Sequence, residues 1–498
     1  MFCDQAGAGI VRPATVAFRN ARRVTPLSDR NTGRYTIAMS RRHSAAWRSV
    51  TGRRGTSPLW PVALAAAARL IAWLLVPASR FASDEDSYFQ VSTALLTRGH
   101  QDLFWPPVTG WLIASVRVLL GTDSLPVLRL AWLAADVGCA LGIRTLSARL
   151  GASLWPNDPQ RGSQFAVWST VGYALYLPAI AHAQFLTSEI PALALVLGML
   201  VLLTGPRPGL AVHVGGGILA GILALTRPSL LPLAVLLPVA AAWARRPIVL
   251  RNVAVFVMVA MSLVSLQVYR NWRVAGELTI STNSAYNFYI GNRDQYAEDL
   301  NLFAPRATAE QIEFRRHQWS GTLVYPTGSP AELQRLAWQW VRDHPATFVR
   351  RATGRLARVF VPKTDVLEIL GGELTAGARA PRTLALLAVT NLQWALVLFG
   401  GVLGLAQVRQ RSPAFFALFI AAIAGAVALC LVAISKPRYS FVFDPILLMA
   451  ACLVVMSPST ATTALTRRDW VVLGLVVAFL AWAWVAFAIF ALTSRAAL

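Results

Sequence analysis

The chain has 498 residues, 56% of them hydrophobic and 14% charged, with 17 tryptophans and a mean hydropathy of +0.52. A water-soluble domain of that length cannot bury so much apolar surface, so the composition describes an all-α polytopic membrane protein. The net charge of +23 sits in a basic N-terminal tail, in short loops between apolar runs and in one hydrophilic insert; that distribution follows the positive-inside rule and lipid-phosphate contacts, not nucleic-acid binding.

Residues 1–58 carry eleven arginines against two acids and no apolar core of signal-peptide length, so they read as a disordered cytoplasmic tail. Met39 offers a second plausible start. Beyond the tail, apolar runs fall near 59–78, 126–147, 163–181, 188–204, 210–226, 228–244, 250–269, 383–406, 412–434, 440–457 and 469–493. At about 20 residues per crossing they predict about 11–13 transmembrane helices. They divide the chain into an N-terminal module (59–269) with a first outer loop (79–125), an outer insert (270–382) and C-terminal helices (383–498). The four cysteines, Cys3, Cys139, Cys430 and Cys452, are scattered and suggest neither a disulfide framework nor a zinc site.

A further short run, 107–121, decides sidedness. If it only dips into the membrane, the basic loop 143–163 lies inside, as the positive-inside rule prefers. The N-terminus is then cytoplasmic, and 79–125, 182–189, Arg227, 270–382 and 435–439 share the outer face. Arg69 lies within the first span and Asp136 within the second, at matching depths from the outer ends. An unpaired charge there is costly, so the two are expected to pair. The alternative leaves Arg69 facing a wet cavity.

In the insert, Thr308-x-x-Gln311 and Ser329-Pro330-x-Glu332 are capping-box helix starts. From Pro345, Phe348, Val349, Ala352, Leu356 and Val359 alternate helically with Arg350, Arg351, Arg355 and Arg358. This basic amphipathic helix either lies on anionic lipid or forms the solvated face of a small cap.

Acid is scarce, 23 Asp plus Glu against 46 Lys plus Arg, yet Asp84, Glu85 and Asp86 stand together just beyond the first span. The expected outer face also gathers Glu189 in Thr-Ser-Glu-Ile-Pro, Arg227 in Thr-Arg-Pro, and Lys436 and Arg438 in Lys-Pro-Arg-Tyr. Glu189 could be an interfacial helix cap and Arg227 a snorkelling side chain. Lys436 and Arg438 break the positive-inside pattern, which calls for an anionic partner outside. Carboxylates facing cations at one interface suit transfer chemistry on a lipid-linked phosphate. Two or three carboxylates so close can also recruit a divalent metal, with Asp84, Asp86 and Glu189 as its ligands. His182 reads as a helix-end residue.

These motifs, in this order, resemble the GT-C superfamily of membrane glycosyltransferases, in particular the branch of protein O-mannosyltransferases and lipid A aminoarabinose transferases. The resemblance runs from about residue 59 to residue 457. It rests on Asp84-Glu85-x-x-Tyr88, Trp105-Pro106-Pro107, Gly121, Arg129-Leu130, Glu189, Gly217-x-x-x-Gly221, Thr226-Arg227-Pro228, Arg270-Asn271, Ser281-Thr282-Asn283 through Gly291-Asn292, and Arg438-Tyr439. It implies an inverting hexosyl or pentosyl transferase of the bacterial inner membrane, with an outer-face active site and a polyprenyl-phosphate-linked sugar as donor.

Carried over, Asp84 is the general base with Glu85 beside it, and Arg227, Lys436 and Arg438 hold the carrier phosphate. Glu189, Tyr88, Arg129, Arg270, Asn271 and Tyr439 are substrate-binding or second-acid positions. Asp84 and Asp86 compete for the base, and the spacing to Tyr88 selects Asp84. One departure matters: the aminoarabinose branch has a lysine before its proline in the first outer loop, where this chain has Phe104-Trp105-Pro106-Pro107. Sugar and acceptor identity therefore cannot be borrowed from it. A lipid-linked sugar flippase or a noncatalytic envelope-assembly subunit also accommodates a basic pocket, but neither needs the acidic triplet.

Overall fold

The computed structural model describes residues 58–75, 84–99, 103–206, 209–244, 250–293, 300–319, 328–364, 366, 381–457 and 465–496. The tail, with Met39, falls outside the described residues apart from position 58. Among the described residues there are helices and no strands. In chain order they are α1 Trp60–Leu75, α2 Glu85–Arg98, α3 Pro107–Leu120, α4 Leu125–Leu154, α5 Pro159–Ala174, α6 Leu177–His182, α7 Glu189–Leu203, α8 Leu210–Thr226 and α9 Leu233–Ala244. There follow α10 Leu250–Ala275, α11 Asn283–Gly291, α12 Ala309–Trp319, α13 Pro330–Asp343, α14 Pro345–Val359, α15 Pro381–Arg411, α16 Pro413–Ala428, α17 Asp444–Met456 and α18 Arg467–Ala496. Short 3₁₀ turns occupy Pro228–Leu230, Leu429–Leu431 and Pro437–Val442.

Every expected apolar run holds a helix. Five stretches, in α4, α10, α15, α18 and α16 with its following turn, are long and apolar enough to cross a membrane, and the other runs form shorter apolar helices. Their outward faces keep large apolar side chains such as Leu74, Met258, Leu392 and Leu475 exposed, as a lipid-facing bundle does.

Small residues let the helices approach closely. On α8 a Cβ at Gly217 would strike the Phe256 carbonyl and Val259 of α10. On α15 a Cβ at Gly404 would strike the Ala450 carbonyl of α17. Such seams are how apolar helices associate where lipid competes equally well for their side chains.

Arg69 Nε lies 2.6 Å from Asp136 Oδ2, both side chains fully buried, so the pair expected from depth matching is present. The same guanidinium donates to the carbonyls of Ala174 and Tyr173 at the end of α5, and the Tyr173 hydroxyl donates to Asp136. One ion pair thus ties α1, α4 and α5 together.

The short helix α3 is about 21 Å long at ~1.5 Å per residue. Its first residue follows the cavity-lining Trp105 and Pro106. Near its last turn, Arg117 donates to Ser92 and Thr93 of α2 and to Asp123, at 2.8, 2.8 and 2.7 Å. One turn into α4, Arg129 pairs with Glu85 at the start of α2.

The insert is fastened to the bundle. Leu300, Leu302, Ala357 and Val361 share a core with Ala483, Ala486 and Phe490 of α18. Arg355 was expected on a basic surface face; instead it is fully buried, donating to the carbonyls of Gly291, Leu431 and Val432. Those carbonyls end a helix and a 3₁₀ turn, where the backbone has no donor of its own. The helix is rolled accordingly, and Val349, expected on the apolar face, is 62% exposed.

Candidate active site

At the end of the bundle that carries the insert lies a cavity of about 1020 Å³. It gathers residues from the first loop, the starts of α2 and α7, the end of α8, α11, α13 and the turn before α17. All of these were assigned to one face from sequence.

Asp84 occupies the N-cap of α2, but its side chain makes no capping bond. Instead Oδ2 accepts from Arg438 Nη2 at 2.6 Å, with the carboxylate 34% exposed. Arg438, on the Pro437–Val442 turn, also brings Nε to 3.6 Å from Glu189 Oε1. Glu189 opens α7 and accepts from Arg227 Nη1 at 3.0 Å. Arg227 ends α8 in an extended conformation, and its guanidinium lies over the Tyr439 ring. Acid and base therefore alternate: Asp84, Arg438, Glu189, Arg227. Lys436 and Arg358 also line the cavity, so its ionisable lining holds two carboxylates against four cations. Burial pushes the phenols of Tyr88 and Tyr439 up, with nearby Asp84 adding to the effect at Tyr88, so both remain neutral hydroxyls.

The other two acids of the triplet go elsewhere. Glu85 is fully buried and accepts a bidentate fork from Arg129, Nε at 3.0 Å and Nη2 at 2.7 Å, while the Leu186 amide donates to Oε1 at 2.9 Å. It does not line the cavity; it pins the start of α2 to α4 and to the segment before α7. Asp86 is exposed and accepts from Gln90.

Arg129, Arg270 and Asn271 likewise lie off the cavity wall. Asn271 is buried, donating to the carbonyls of Thr279 and Ile280 at 2.8 and 2.9 Å, with Arg270 Nη1 at 3.4 Å from its Oδ1. It shapes the turn into the insert, whose Thr282 and Asn283 amides then donate to the carbonyls of Leu103 and Phe104.

The sequence reading missed Lys363 and Asp444. Lys363 is sealed at 1% exposure, its ammonium 3.0 Å from Asp444 Oδ2 and donating to Ser440 Oγ and the Pro437 carbonyl. The Tyr176 hydroxyl donates to the same Asp444 oxygen at 2.9 Å, and the Trp394 ring lies beneath the ammonium. This cluster fixes the turn that carries Arg438. Its available signal was Asp444-Pro445 opening an otherwise apolar run.

The three carboxylates named for a metal do not converge on one point. A guanidinium stands between Asp84 and Glu189, Asp86 faces solvent, and the His182 ring packs on Phe441. Among the described residues no group of three or more His, Cys, Asp or Glu could hold a metal ion.

The described chain is an all-α protein with apolar helices of membrane-crossing length. No family model matches the sequence, and no curated protein matches it. Similar solved structures include ArnT from Cupriavidus metallidurans bound to undecaprenyl phosphate, with 15% identity, a TM-score of 0.40, and coverage of 85% of this chain and 64% of that one. Another is the archaeal oligosaccharyltransferase AglB from Archaeoglobus fulgidus in complex with an inhibitory peptide and a dolichol-phosphate, with 14% identity, a TM-score of 0.40, and 88% and 56% coverage. ArnT in the apo state gives 16% identity, a TM-score of 0.37, and 80% and 76% coverage. The chain spans less than two thirds of the length of the first two.

Proposed function

We propose that the chain is an inverting glycosyltransferase that moves a sugar from a polyprenyl phosphate carrier to an envelope acceptor, a lipid, glycan or protein, at the outer face of the bacterial inner membrane. The observation that supports this reading best is the alternation of carboxylates and guanidiniums along one cavity wall, with cations in excess. A phosphodiester needs those cations, and an acceptor hydroxyl needs a carboxylate beside them.

In this reading Arg227, Lys436 and Arg438 bind the carrier phosphate, where guanidinium forks and an ammonium stabilise charge growing on a leaving oxygen. Asp84 accepts the proton of the acceptor hydroxyl as that oxygen attacks the anomeric carbon. The bond from that carbon to the phosphate oxygen breaks on the opposite face, so the sugar inverts and the carrier phosphate departs with the electron pair. Arg438 holds Asp84 Oδ2, which orients the base and couples it to the phosphate site. Glu189 spaces the two guanidiniums, and Glu85 and Arg129 position the helix start behind Asp84.

The test is mass analysis of envelope glycolipids, glycans and glycoproteins from a strain lacking the gene, with wild type or Asp84→Asn restored. Loss of one sugar mass from an envelope species in the deletion, restored by wild type and not by Asp84→Asn, is expected. An unchanged envelope profile, or full restoration by Asp84→Asn, would sink the reading.

A further inference from the structure

The cavity lining is of two kinds. One is ionic: Asp84, Glu189, Arg227, Lys436 and Arg438, with Arg358 of α14. The part built from the first outer loop, α11 and α13 is rich in aromatic rings, amides and hydroxyls: Trp105, Tyr286, Asn283, Asn287, Gln334 and Trp338. Within residues 281–291 the lining side chains carry no charge.

The rings are held, not loose. Trp105 packs on Tyr88 at 5.0 Å and on Phe104 at 5.3 Å, and Phe104 packs edge-on against Tyr286 at 5.6 Å. Helix α13 uses two faces. Leu333, Ala337 and Trp340 are buried, with Leu333 and Ala337 packed on Tyr289 of α11, while Gln334 and Trp338, one turn apart, line the cavity. Trp338 is 51% exposed and braced edge-on by Phe288 at 5.1 Å. A large indole kept half open on a cavity wall, with side-chain amides beside it, is a costly surface to leave wet. Its chemistry matches a pyranose ring: the apolar C–H face of a sugar lies on an aromatic face, and its hydroxyls trade hydrogen bonds with amides. The side chains of Trp105, Tyr286, Asn287 and Trp338 themselves bring no charge to a phosphate or to a charged sugar.

We propose that Trp105, Tyr286, Asn287 and Trp338 form a subsite for an uncharged sugar ring, an inference that rests on the transferase reading of the same cavity. The ring is either the sugar being transferred or a sugar of the acceptor; both present the same chemistry.

The test uses the purified full chain in detergent, with saturation-transfer NMR of methyl mannopyranoside and methyl glucopyranoside, and separate binding of undecaprenyl phosphate. Wild type is expected to transfer saturation to the ring protons of at least one glycoside. Trp338→Ala should weaken that binding about two- to tenfold with an unchanged melting temperature. Trp338→Phe should restore it, and Arg227→Gln should leave it intact while lowering undecaprenyl phosphate binding. No transfer to either glycoside in folded wild type, or undiminished transfer in Trp338→Ala, overturns the subsite. Glycoside binding without undecaprenyl phosphate binding would instead overturn the carrier reading and leave the subsite standing. Displacement of the bound glycoside by undecaprenyl-phosphomannose or undecaprenyl-phosphoglucose, but not by bare undecaprenyl phosphate, assigns the subsite to the transferred sugar. Persistence beside both assigns it to the acceptor.

Discussion

Two sets of arginine–carboxylate contacts share this molecule and differ in what surrounds them. Arg69–Asp136 and Arg129–Glu85 are sealed between helices, each side chain at 2% exposure or less. The assembly of Asp84, Arg438, Glu189 and Arg227 lines a cavity, and Asp84 is 34% exposed. A sealed pair can only hold helices together, because its charges are shut away from any substrate and neither can be given up without stranding the other. A pair at a cavity wall can exchange one partner for a substrate. Access to the cavity, rather than charge or distance, is what distinguishes the two sets.

The sharpest way to break this comparison is at the two adjacent acids. Asp84→Asn is expected to lower turnover by ~10²–10⁴-fold, the range of a positioned general base, while yield and melting temperature in detergent stay at wild-type values. Retention of more than about a tenth of the activity would move the base elsewhere. Glu85→Gln should do the reverse: it strands Arg129 and lowers stability by up to about 3–5 kcal/mol, read as lost yield and a lower melting temperature, with the surviving folded enzyme still active.

A double-mutant cycle at Arg69 and Asp136 tests the sealed class itself. Arg69→Leu and Asp136→Leu should each destabilise, and the double variant should recover part of the loss, because removing one partner leaves the other charge buried alone. Additive damage would show that the two act independently.

Smaller and different in kind is the effect expected at the cavity cations. Arg227→Gln and Lys436→Gln should each raise the donor KM by about tenfold or more, as for a lost charged hydrogen bond, with acceptor KM little changed. An equal rise in both constants would place these residues outside the carrier site. Smallest of all, Asp86→Asn should change turnover less than about twofold, in keeping with an exposed side chain that accepts from Gln90.

The bundle was legible because long apolar runs leave a membrane helix few alternatives, and Arg69–Asp136 was legible because depth is countable along a helix. The acid triplet was legible as a place but not as three roles. Successive residues on a helix turn about 100°, so Asp84, Glu85 and Asp86 at the start of α2 point to the cavity, the bundle core and solvent in turn. Sequence spacing alone does not say which direction is which. Arg355 was misread for a related reason: its partners are backbone carbonyls far along the chain, and carbonyls leave no trace in composition. Lys363 and Asp444 escaped because 81 residues separate them.

The sealed lysine has a consequence for how the molecule comes apart. Lys363 follows the last described helix of the insert, and its partners Ser440 and Asp444 belong to the C-terminal bundle. Lifting the insert away would leave an ammonium and a carboxylate without each other in an apolar setting. Insert and bundle should therefore open as one cooperative unit. Amide hydrogen exchange in α13 and α14 should track that of α17 rather than run ahead of it, as it would for an independently hinged cap.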